Sequence, residues 1–170
     1  LTQSATSTIT VDPVNDAPVG VADDTIITNI TDGSAIDIPS WVLTGNDTDV
    51  DGDALSIGSV VSDWAGATAG LDGDGDVVLT PPPGFDFDGN DGSFSYTVSD
   101  GEDSGDPVAV AVTFDFGSFI GGTNTGDTII GGAGDDTLEG GDGNDIVYGG
   151  DGNDTIIGGS GEGDDAYDGG

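Results

Sequence analysis

A nine-residue pattern repeats three times without interruption in the last third of the sequence. The repeats begin at Gly131, Gly140 and Gly149, and each follows G-G-x-G-x-D-x-U-x, where U is a large apolar residue. A short fixed period with one apolar position indicates a solenoid, in which each repeat buries its apolar face only against its neighbours. A disordered glycine-rich linker would not place an apolar residue at the same position of every repeat. The pattern therefore predicts a parallel β-solenoid.

Each repeat divides into a turn and a strand. The first six residues predict a tight turn, because glycine permits the backbone angles that such turns require. The last three predict a short strand, so two repeats complete one coil of a flattened β-roll. Turns two repeats apart then stack, which places Asp136 and Asp154 on one side and Asp127 and Asp145 on the other. The residues expected in the narrow core are Ile129, Leu138, Val147 and Ile156.

The stacked turns offer the ligands that calcium prefers. Carboxylates and backbone carbonyls are hard oxygens, and each turn supplies both. At the ends of the array the repeats are longer, so that after Gly158 either Asp164 or Asp165 takes the aspartate position. The predicted ligands are Asp127, Asp136, Asp145, Asp154, Asp164 and Asp165, with the turn glycines Gly131, Gly132, Gly134, Gly140, Gly141, Gly143, Gly149, Gly150 and Gly152. Because few apolar side chains are buried, we expect this roll to fold only with calcium bound.

The charge composition also requires cations. The 170 residues include 34 Asp or Glu but no Lys, Arg or His, which gives a formal net charge of −34. No side chain can form a salt bridge, so a compact chain repels itself until cations bind. Only Glu102, Glu139 and Glu162 are Glu, and this preference for Asp favours cation-binding turns. Salt adaptation of the surface is the alternative for part of the charge.

The missing residue types exclude several function classes. Without Cys there is no disulfide, thiolate nucleophile or cysteine zinc site. Without His, Lys or Arg there is no imidazole base, Schiff-base lysine or phosphate clamp. Nucleic acids and anionic membranes are repelled, and no apolar stretch approaches the ~20 residues of a membrane span. A glycosidase using two carboxylates is disfavoured because the acidic pairs lie in glycine-rich turns. We therefore expect a structural protein rather than an enzyme.

Three units are predicted: residues 1–17 as a strand and linker, 18–116 as an Ig-like β-sandwich, and 117–170 as the β-roll. In the middle unit, short β-branched runs alternate with turns rich in Gly, Asp, Asn and Pro, and no amphipathic helix is evident. The predicted strands are Thr25–Ile30, Ala35–Ile38, Leu55–Val61, Val77–Thr80, Phe94–Val98 and Val108–Phe116. The predicted core residues are Trp41, Trp64, Phe94, Tyr96 and the valines of the last strand.

Two acidic loops of the predicted sandwich are further candidate calcium sites. The first matches the beginning of an EF-hand loop, but its twelfth position is Gly58 instead of Glu, which excludes a helical EF-hand and favours a site between strands. A solvated turn is the alternative for either loop. The candidate ligands are Asp47, Asp49, Asp51 and Asp53 in the first loop and Asp72, Asp74 and Asp76 in the second. Weaker candidates for a site at a domain junction are Asp16, Asp23 and Asp100.

These motifs resemble two bacterial families. The nonapeptide repeats resemble RTX (repeats-in-toxin) calcium-binding β-rolls. The segment from Val14 to Val19, the acidic loop from Asn46 to Asp53 and the strand from Phe94 to Gly101 resemble the cadherin-like, Ig-like (VCBS-type) tandem domains of surface adhesins. RTX rolls occur on proteins exported by type I secretion, and they are unfolded at low calcium and fold outside the cell. The resemblance implies an extracellular, calcium-binding bacterial protein.

The two ends of the sequence lead to an expectation of assembly between copies. A strand-like segment around Ile9 precedes the linker, and an unpaired strand adds to a free sheet edge of another chain. The last residues, from Asp168 to Gly170, resemble the start of another repeat without the cap that solenoids require. We expect head-to-tail association into a filament. The alternative is a piece of a longer adhesin that binds a glycan or a surface, for which an exposed Trp64 would be the contact residue.

Overall fold

A computed structural model describes residues 14–159 and 163–170, and within these ranges the protein is almost entirely β. The predicted strand around Ile9 lies outside the described residues. The first seven strands are β1 (Ile26–Thr28), β2 (Ile36–Ile38), β3 (Ser56–Ser62), β4 (Thr68–Leu71), β5 (Val77–Thr80), β6 (Gly92–Ser99) and β7 (Val108–Phe114). The last six are β8 (Phe119–Gly121), β9 (Thr128–Ile130), β10 (Thr137–Glu139), β11 (Ile146–Tyr148), β12 (Thr155–Ile157) and β13 (Ala166–Asp168).

The strands form one long sheet and two short ones. The long sheet has the order β13-β11-β9-β1-β7-β6-β3, and the short sheets have the orders β12-β10-β8 and β2-β5-β4. Within the sandwich, β3, β6 and β7 pair antiparallel, whereas β1 is parallel to both β7 and β9. The long sheet therefore runs without interruption from the sandwich into the roll. The fold is all-β, as the sequence predicts, with an Ig-like unit followed by a parallel solenoid.

The sandwich core follows the two-residue period of its strands. On β6 the side chains of Phe94, Tyr96 and Val98 are buried while the residues between them are only partly buried. On β7 Val110 is buried and Ala111 is exposed, which agrees with the alternation read from the sequence. The predicted core position of Trp64 is also confirmed. Its indole ring stands edge-on to Phe85, Phe87 lies edge-on to Phe85, and Phe114 packs against all three rings.

Two expectations about the sandwich are wrong. Trp41 is 37% exposed and does not belong to the core. It lies on a five-residue helix, α1 (Ser40–Thr44), which buries Val42 and Leu43 instead. The sequence pattern also missed β4, because its side chains are exposed or half-buried along its whole length and carry no apolar alternation.

The roll has the nine-residue period that the sequence predicts. Successive strands alternate between the two sheets, so that β10 pairs with β12 and β9 pairs with β11, each eighteen residues apart in register. The next pairing, β11 with β13, joins Val147 to Tyr167 and spans twenty residues because the last turn is longer. The fully buried core residues are Ile120, Ile129, Leu138 and Val147, with Ile156 partly buried against them.

One carboxylate of the sandwich has a buried oxygen without a hydrogen-bond partner. The Oδ2 atom of Asp23 is buried and has no hydrogen-bond partner. The nearby Tyr96 hydroxyl donates to the Leu43 carbonyl at 2.9 Å and lies 3.3 Å from the Asp47 carboxylate. Burial raises the pKa of Asp23 to about 7, and the charge of Asp47 adds to this rise. Ionised Asp23 therefore opposes folding.

We expect Asp23→Asn to weaken the pH dependence of sandwich stability in calcium-free buffer. The folded-state pKa lies above the unfolded value of 3.8, so wild-type stability falls as pH rises from about 4 to about 7. The variant should lose less Tm than wild type between about pH 5 and pH 8, measured by thermal unfolding with tryptophan fluorescence. Asp91→Asn removes an equal charge at an exposed site and is the control. If both variants changed the pH dependence of Tm equally, the effect would come from net charge and not from the buried site of Asp23.

Candidate metal centres

The turns of the roll bury carboxylates. Asp127, Asp136 and Asp145 lie at the ends of turns, and each is less than 9% exposed. Each of the first two folds back over its own turn: Thr123 donates its backbone N–H to the Asp127 Oδ2 atom at 2.6 Å, and Gly132 donates to the Asp136 Oδ2 atom at 3.0 Å. The carboxylate thus closes the turn that precedes each strand.

These aspartates stack in two rows, one on each side of the roll. The backbone N–H of Asp127 donates to the Asp145 Oδ1 atom at 3.0 Å, and that of Asp145 donates to the Asp165 Oδ1 atom at 3.1 Å. On the other side, the N–H of Asp136 donates to the Asp154 Oδ1 atom at 2.9 Å. The two sides are those that the spacing predicts. We call these sets the Asp145 row and the Asp136 row.

The structure distinguishes the two candidates in the last turn. Asp165 continues the Asp145 row, whereas Asp164 donates its backbone N–H to the side-chain oxygen of Asn144 at 2.9 Å. Asp164 is therefore stacked on Asn144, the residue that precedes Asp145. The hydroxyl of Tyr167 donates to the Asp165 Oδ2 atom at 2.7 Å, a partner that the nonapeptide pattern does not indicate. This hydrogen bond raises the pKa of Tyr167 to about 12.

The rows contain carboxylate oxygens that no protein group satisfies. Asp145 is 1% exposed, and its Oδ2 atom is buried without a hydrogen-bond partner. The Oδ2 atom of Asp154 is also buried and unpartnered. Burial raises the pKa of Asp145, and the nearby charges of Asp165 and Asp127 add to this effect. Burying an unpaired carboxylate is costly, so these donors fit a hard cation such as calcium.

Backbone carbonyls of the turn glycines approach the stacked turns closely. A Cβ atom on Gly131 would overlap the carbonyl oxygen of Gly149. Gly150, with a φ of +86°, would likewise overlap the carbonyl of Gly132, and left-handed φ values favour glycine. The predicted ligand glycines whose carbonyl oxygens face a neighbouring turn in this way are Gly132, Gly134, Gly140, Gly141, Gly143, Gly149 and Gly150.

The first acidic loop of the sandwich forms a compact carboxylate group. One oxygen from each of Asp49, Asp51 and Asp53 lies within 4.8 Å of the others. Asp49 accepts backbone N–H groups from Asp51 and Asp53 through Oδ1, while its Oδ2 atom is buried and unpartnered. Asp16 is tied to this loop, because its N–H donates to the Asp51 Oδ2 atom at 2.9 Å. Asp47 accepts from the N–H of Val21 and is not part of the group.

The second loop is closed by its own backbone. Asp72 Oδ1 accepts N–H groups from Asp74, Gly75 and Asp76 at 2.8 to 3.0 Å, and these hydrogen bonds lower the pKa of Asp72. Asp76 accepts the N–H of Ser40 at 2.7 Å. In the part of the chain that the structure describes, Asp72, Asp74 and Asp76 do not form a compact carboxylate group.

The weaker junction candidates lie at separate places. Asp100 accepts N–H groups from Glu102 and Asp103, which lower its pKa, and it also accepts the side-chain amide of Asn15 at 2.9 Å. Asp23 lies beside Tyr96, while Asp16 contacts the first acidic loop.

Two further observations bear on other functions. The indole of Trp64 is 9% exposed and lies in the aromatic cluster, so it does not offer the surface contact that glycan binding would require. Within residues 14–159 and 163–170, no helix is long and apolar enough to cross a membrane.

Comparison with known proteins agrees with this geometry. Residues 15–113 match the family model of the bacterial Ig domain, and residues 121–156 match four copies of the RTX calcium-binding nonapeptide repeat. None of the curated proteins matches the sequence. A solved structure with some likeness is that of a nucleoside hydrolase-related hypothetical protein from Saccharophagus degradans that is associated with carbohydrate metabolism. It is 16% identical, with a TM-score of 0.36, and the match covers 59% of this chain and 26% of that one.

Calcium is therefore the cofactor that the donor set and the repeat family both indicate, and the Asp49, Asp51 and Asp53 carboxylates lie close enough together to hold a metal ion. The sandwich accounts for more than half of the sequence. The chain belongs to the bacterial Ig domain family, and its Ig domain is followed by RTX calcium-binding repeats.

Proposed function

We propose that this protein is a secreted structural module, not an enzyme, whose β-roll folds around calcium outside the cell and stiffens an adhesin or filament. The observation that carries the proposal is the pair of aspartate rows, in which Asp145 is almost fully buried with one unpartnered oxygen. Calcium ions between stacked turns would satisfy these oxygens and neutralise the charge that otherwise opposes compaction. Inside a cell, where calcium is scarce, the same turns would stay open.

The expected affinity agrees with an extracellular location. Calcium sites in extracellular modules bind at about 10⁻⁴–10⁻³ M, a concentration found outside cells. The roll ligands that we assign are the row aspartates with the facing glycine carbonyls. We assign Asp49, Asp51 and Asp53 as a second kind of site, which fixes the linker through the Asp16 contact.

The continuous sheet supports a stiffening role. Because β1 is hydrogen-bonded to both β7 and β9, the sandwich and the roll share backbone hydrogen bonds and are not joined by a linker alone. A calcium-loaded roll would therefore extend the sandwich as one rigid element. Such an element suits a surface fibre, which must transmit force without bending at its joints.

Association between copies is a further part of the proposal. In the described residues, β12 and β13 are the outermost strands of their sheets at the far end of the roll. Tyr167 and Ile157 on these strands are each more than 40% exposed. A second copy that pairs with these edges would continue both the sheets and the aspartate rows.

Chelation tests the proposed function directly. With EDTA, we expect backbone amides of β9 to β12 to exchange with solvent deuterium at the rate of an unfolded chain, while β5 and β6 stay protected. Calcium at about 1 mM should restore protection in the roll, and magnesium should not. The same experiment reports on the first acidic loop, where calcium should slow exchange around Asp51. Roll protection that is the same with EDTA as with calcium would overturn the proposal.

Replacing the central row aspartate should weaken calcium-dependent folding. We expect Asp145→Asn to raise the calcium concentration at the folding midpoint by ~10-fold or more, because even removal of a group that only supports a ligand costs that much. Circular dichroism during a calcium titration measures this midpoint. Asp142→Asn makes the same change at an exposed position of the same repeat and should leave the midpoint within about two-fold of wild type. Equal shifts in both variants would indicate a general charge effect.

Association between copies should depend on calcium. In sedimentation velocity, we expect species larger than the monomer at about 1 mM calcium and the monomer alone with EDTA. Ile157→Asp, which adds charge to the exposed β12 edge, should reduce association while leaving the calcium midpoint of roll folding almost unchanged. A wild-type protein that stays monomeric with the roll folded would refute this part of the proposal.

A further inference from the structure

Strand β1 belongs to the sandwich in sequence but occupies the position of a roll strand in space. It pairs with β9 in the register Ile26↔Thr128, and β9 pairs on its other side with β11 in the register Thr128↔Ile146. Both pairings are parallel. Strand β1 therefore takes the place that the preceding coil of the roll would otherwise fill.

The side chains of β1 also serve both units. Ile26 is fully buried in the sandwich core, whereas the adjacent Ile27 packs against the roll core that contains Ile129. Successive residues of a strand point to opposite faces of the sheet, so one strand contributes to both cores. The first coil of the roll is thereby covered by an apolar side chain of the sandwich and does not expose its core to water.

The residue after β1 replaces a missing hydrogen-bond donor. In the roll, the Oδ1 atom of a row aspartate accepts the backbone N–H of the aspartate one coil earlier, as in the Asp136–Asp154 pair at 2.9 Å. Asp136 is the first aspartate of its row, because the equivalent position of the preceding coil, just before β8, is Ser118. Its Oδ1 atom instead accepts the side-chain amide of Asn29 at 2.7 Å. The same amide also donates to the carbonyl of Gly117 at 3.1 Å, which holds it in place.

We propose that the Ig domain is the built-in N-terminal cap of the β-roll and that Asn29 is the capping residue that starts the Asp136 row. Solenoids need a cap to cover their first repeat. Here β1 supplies the backbone partner, Ile27 covers the core, and Asn29 positions the first carboxylate for calcium. Calcium-driven folding therefore starts from the first coil, β8 and β9, next to the sandwich and proceeds away from it.

The cap depends on an amide and not simply on a polar side chain. Only Nδ2 of Asn29 can donate to a carboxylate, and a carboxylate at this position would face Asp136 without a proton between them. Asn29→Asp is almost isosteric, so it should keep the packing while replacing the hydrogen bond to Asp136 by repulsion between two carboxylates. Asn29→Ala removes the donor without adding charge. Both changes should leave the Asp136 Oδ1 atom without its Asn29 donor, so that the N–H of Gly132 on Oδ2 alone holds this carboxylate in place.

The test rests on the proposed calcium-dependent folding of the roll and uses the whole chain. Deuterium exchange during a calcium titration gives separate folding midpoints for β10 with β12 and for β9 with β11. We expect Asn29→Ala to raise the midpoint of β10 and β12 by about 10-fold, since a hydrogen bond to a charged group is lost, and Asn29→Asp to raise it more. The midpoint for β9 and β11 should move less, because Asp127 is held by Thr123.

Matched controls separate the outcomes. Asn90 donates its amide only to carbonyls of its own loop, Asp86 and Asp88, so Asn90→Ala and Asn90→Asp make the same chemical changes away from the roll and should leave the midpoints unchanged. The capping role would be overturned if the Asn29 variants had the same calcium midpoints as wild type. It would also be overturned if the Asn29 variants lost protection of β5 and β6 in EDTA, because the sandwich itself would then be damaged. A wild-type roll that is protected from exchange without calcium would instead refute the proposed function. In that case the role of Asn29 is tested by exchange in EDTA alone, where Asn29→Ala must still speed exchange in β10.

Discussion

Carboxylate groups without positive partners are the constraint on which the rest of this structure depends. A protein with no Lys, Arg or His cannot bury an aspartate in a salt bridge, yet it buries Asp127, Asp136 and Asp145. Backbone N–H groups satisfy some of their oxygens, and the unpartnered Oδ2 atom of Asp145 is directed to no protein donor. Dissolved cations would satisfy the remaining oxygens. Under the proposed function, the calcium concentration would therefore decide whether the roll is folded.

The shared strand β1 explains how a calcium-dependent unit can be attached firmly to an Ig domain. In an isolated sandwich, β1 would be an edge strand with unpaired backbone groups. In this chain β9 covers that edge, and β1 in turn covers the first coil of the roll. Each unit thus satisfies an exposed edge of the other. Ile26 and Ile27 contribute to different cores, and the sandwich core also includes Ile130 of β9, so the two units are packed together as well as hydrogen-bonded.

The sequence predicts the features that are local and periodic. The nine-residue repeat gives the strand positions, the core residues such as Leu138 and the two aspartate rows, because each depends only on spacing along the chain. The β6 and β7 alternation is equally local. The Asn29–Asp136 contact joins residues 107 positions apart, and no spacing rule indicates it. Trp41 was misassigned because hydrophobicity alone does not tell which side of a short helix faces the core. The hydrogen bond from the N–H of Val21 to Asp47 likewise joins distant segments, and no spacing rule predicts it.

The two cores differ in size. The sandwich has a core of large apolar residues, including Phe94 and Tyr96, whereas the roll core is a single narrow row of aliphatic side chains. If the roll folds only with calcium, as we propose, the sandwich would fold first and present β1 as the template for the first coil. Each later coil would then need only calcium and the preceding coil, so the roll would assemble in the direction away from the sandwich.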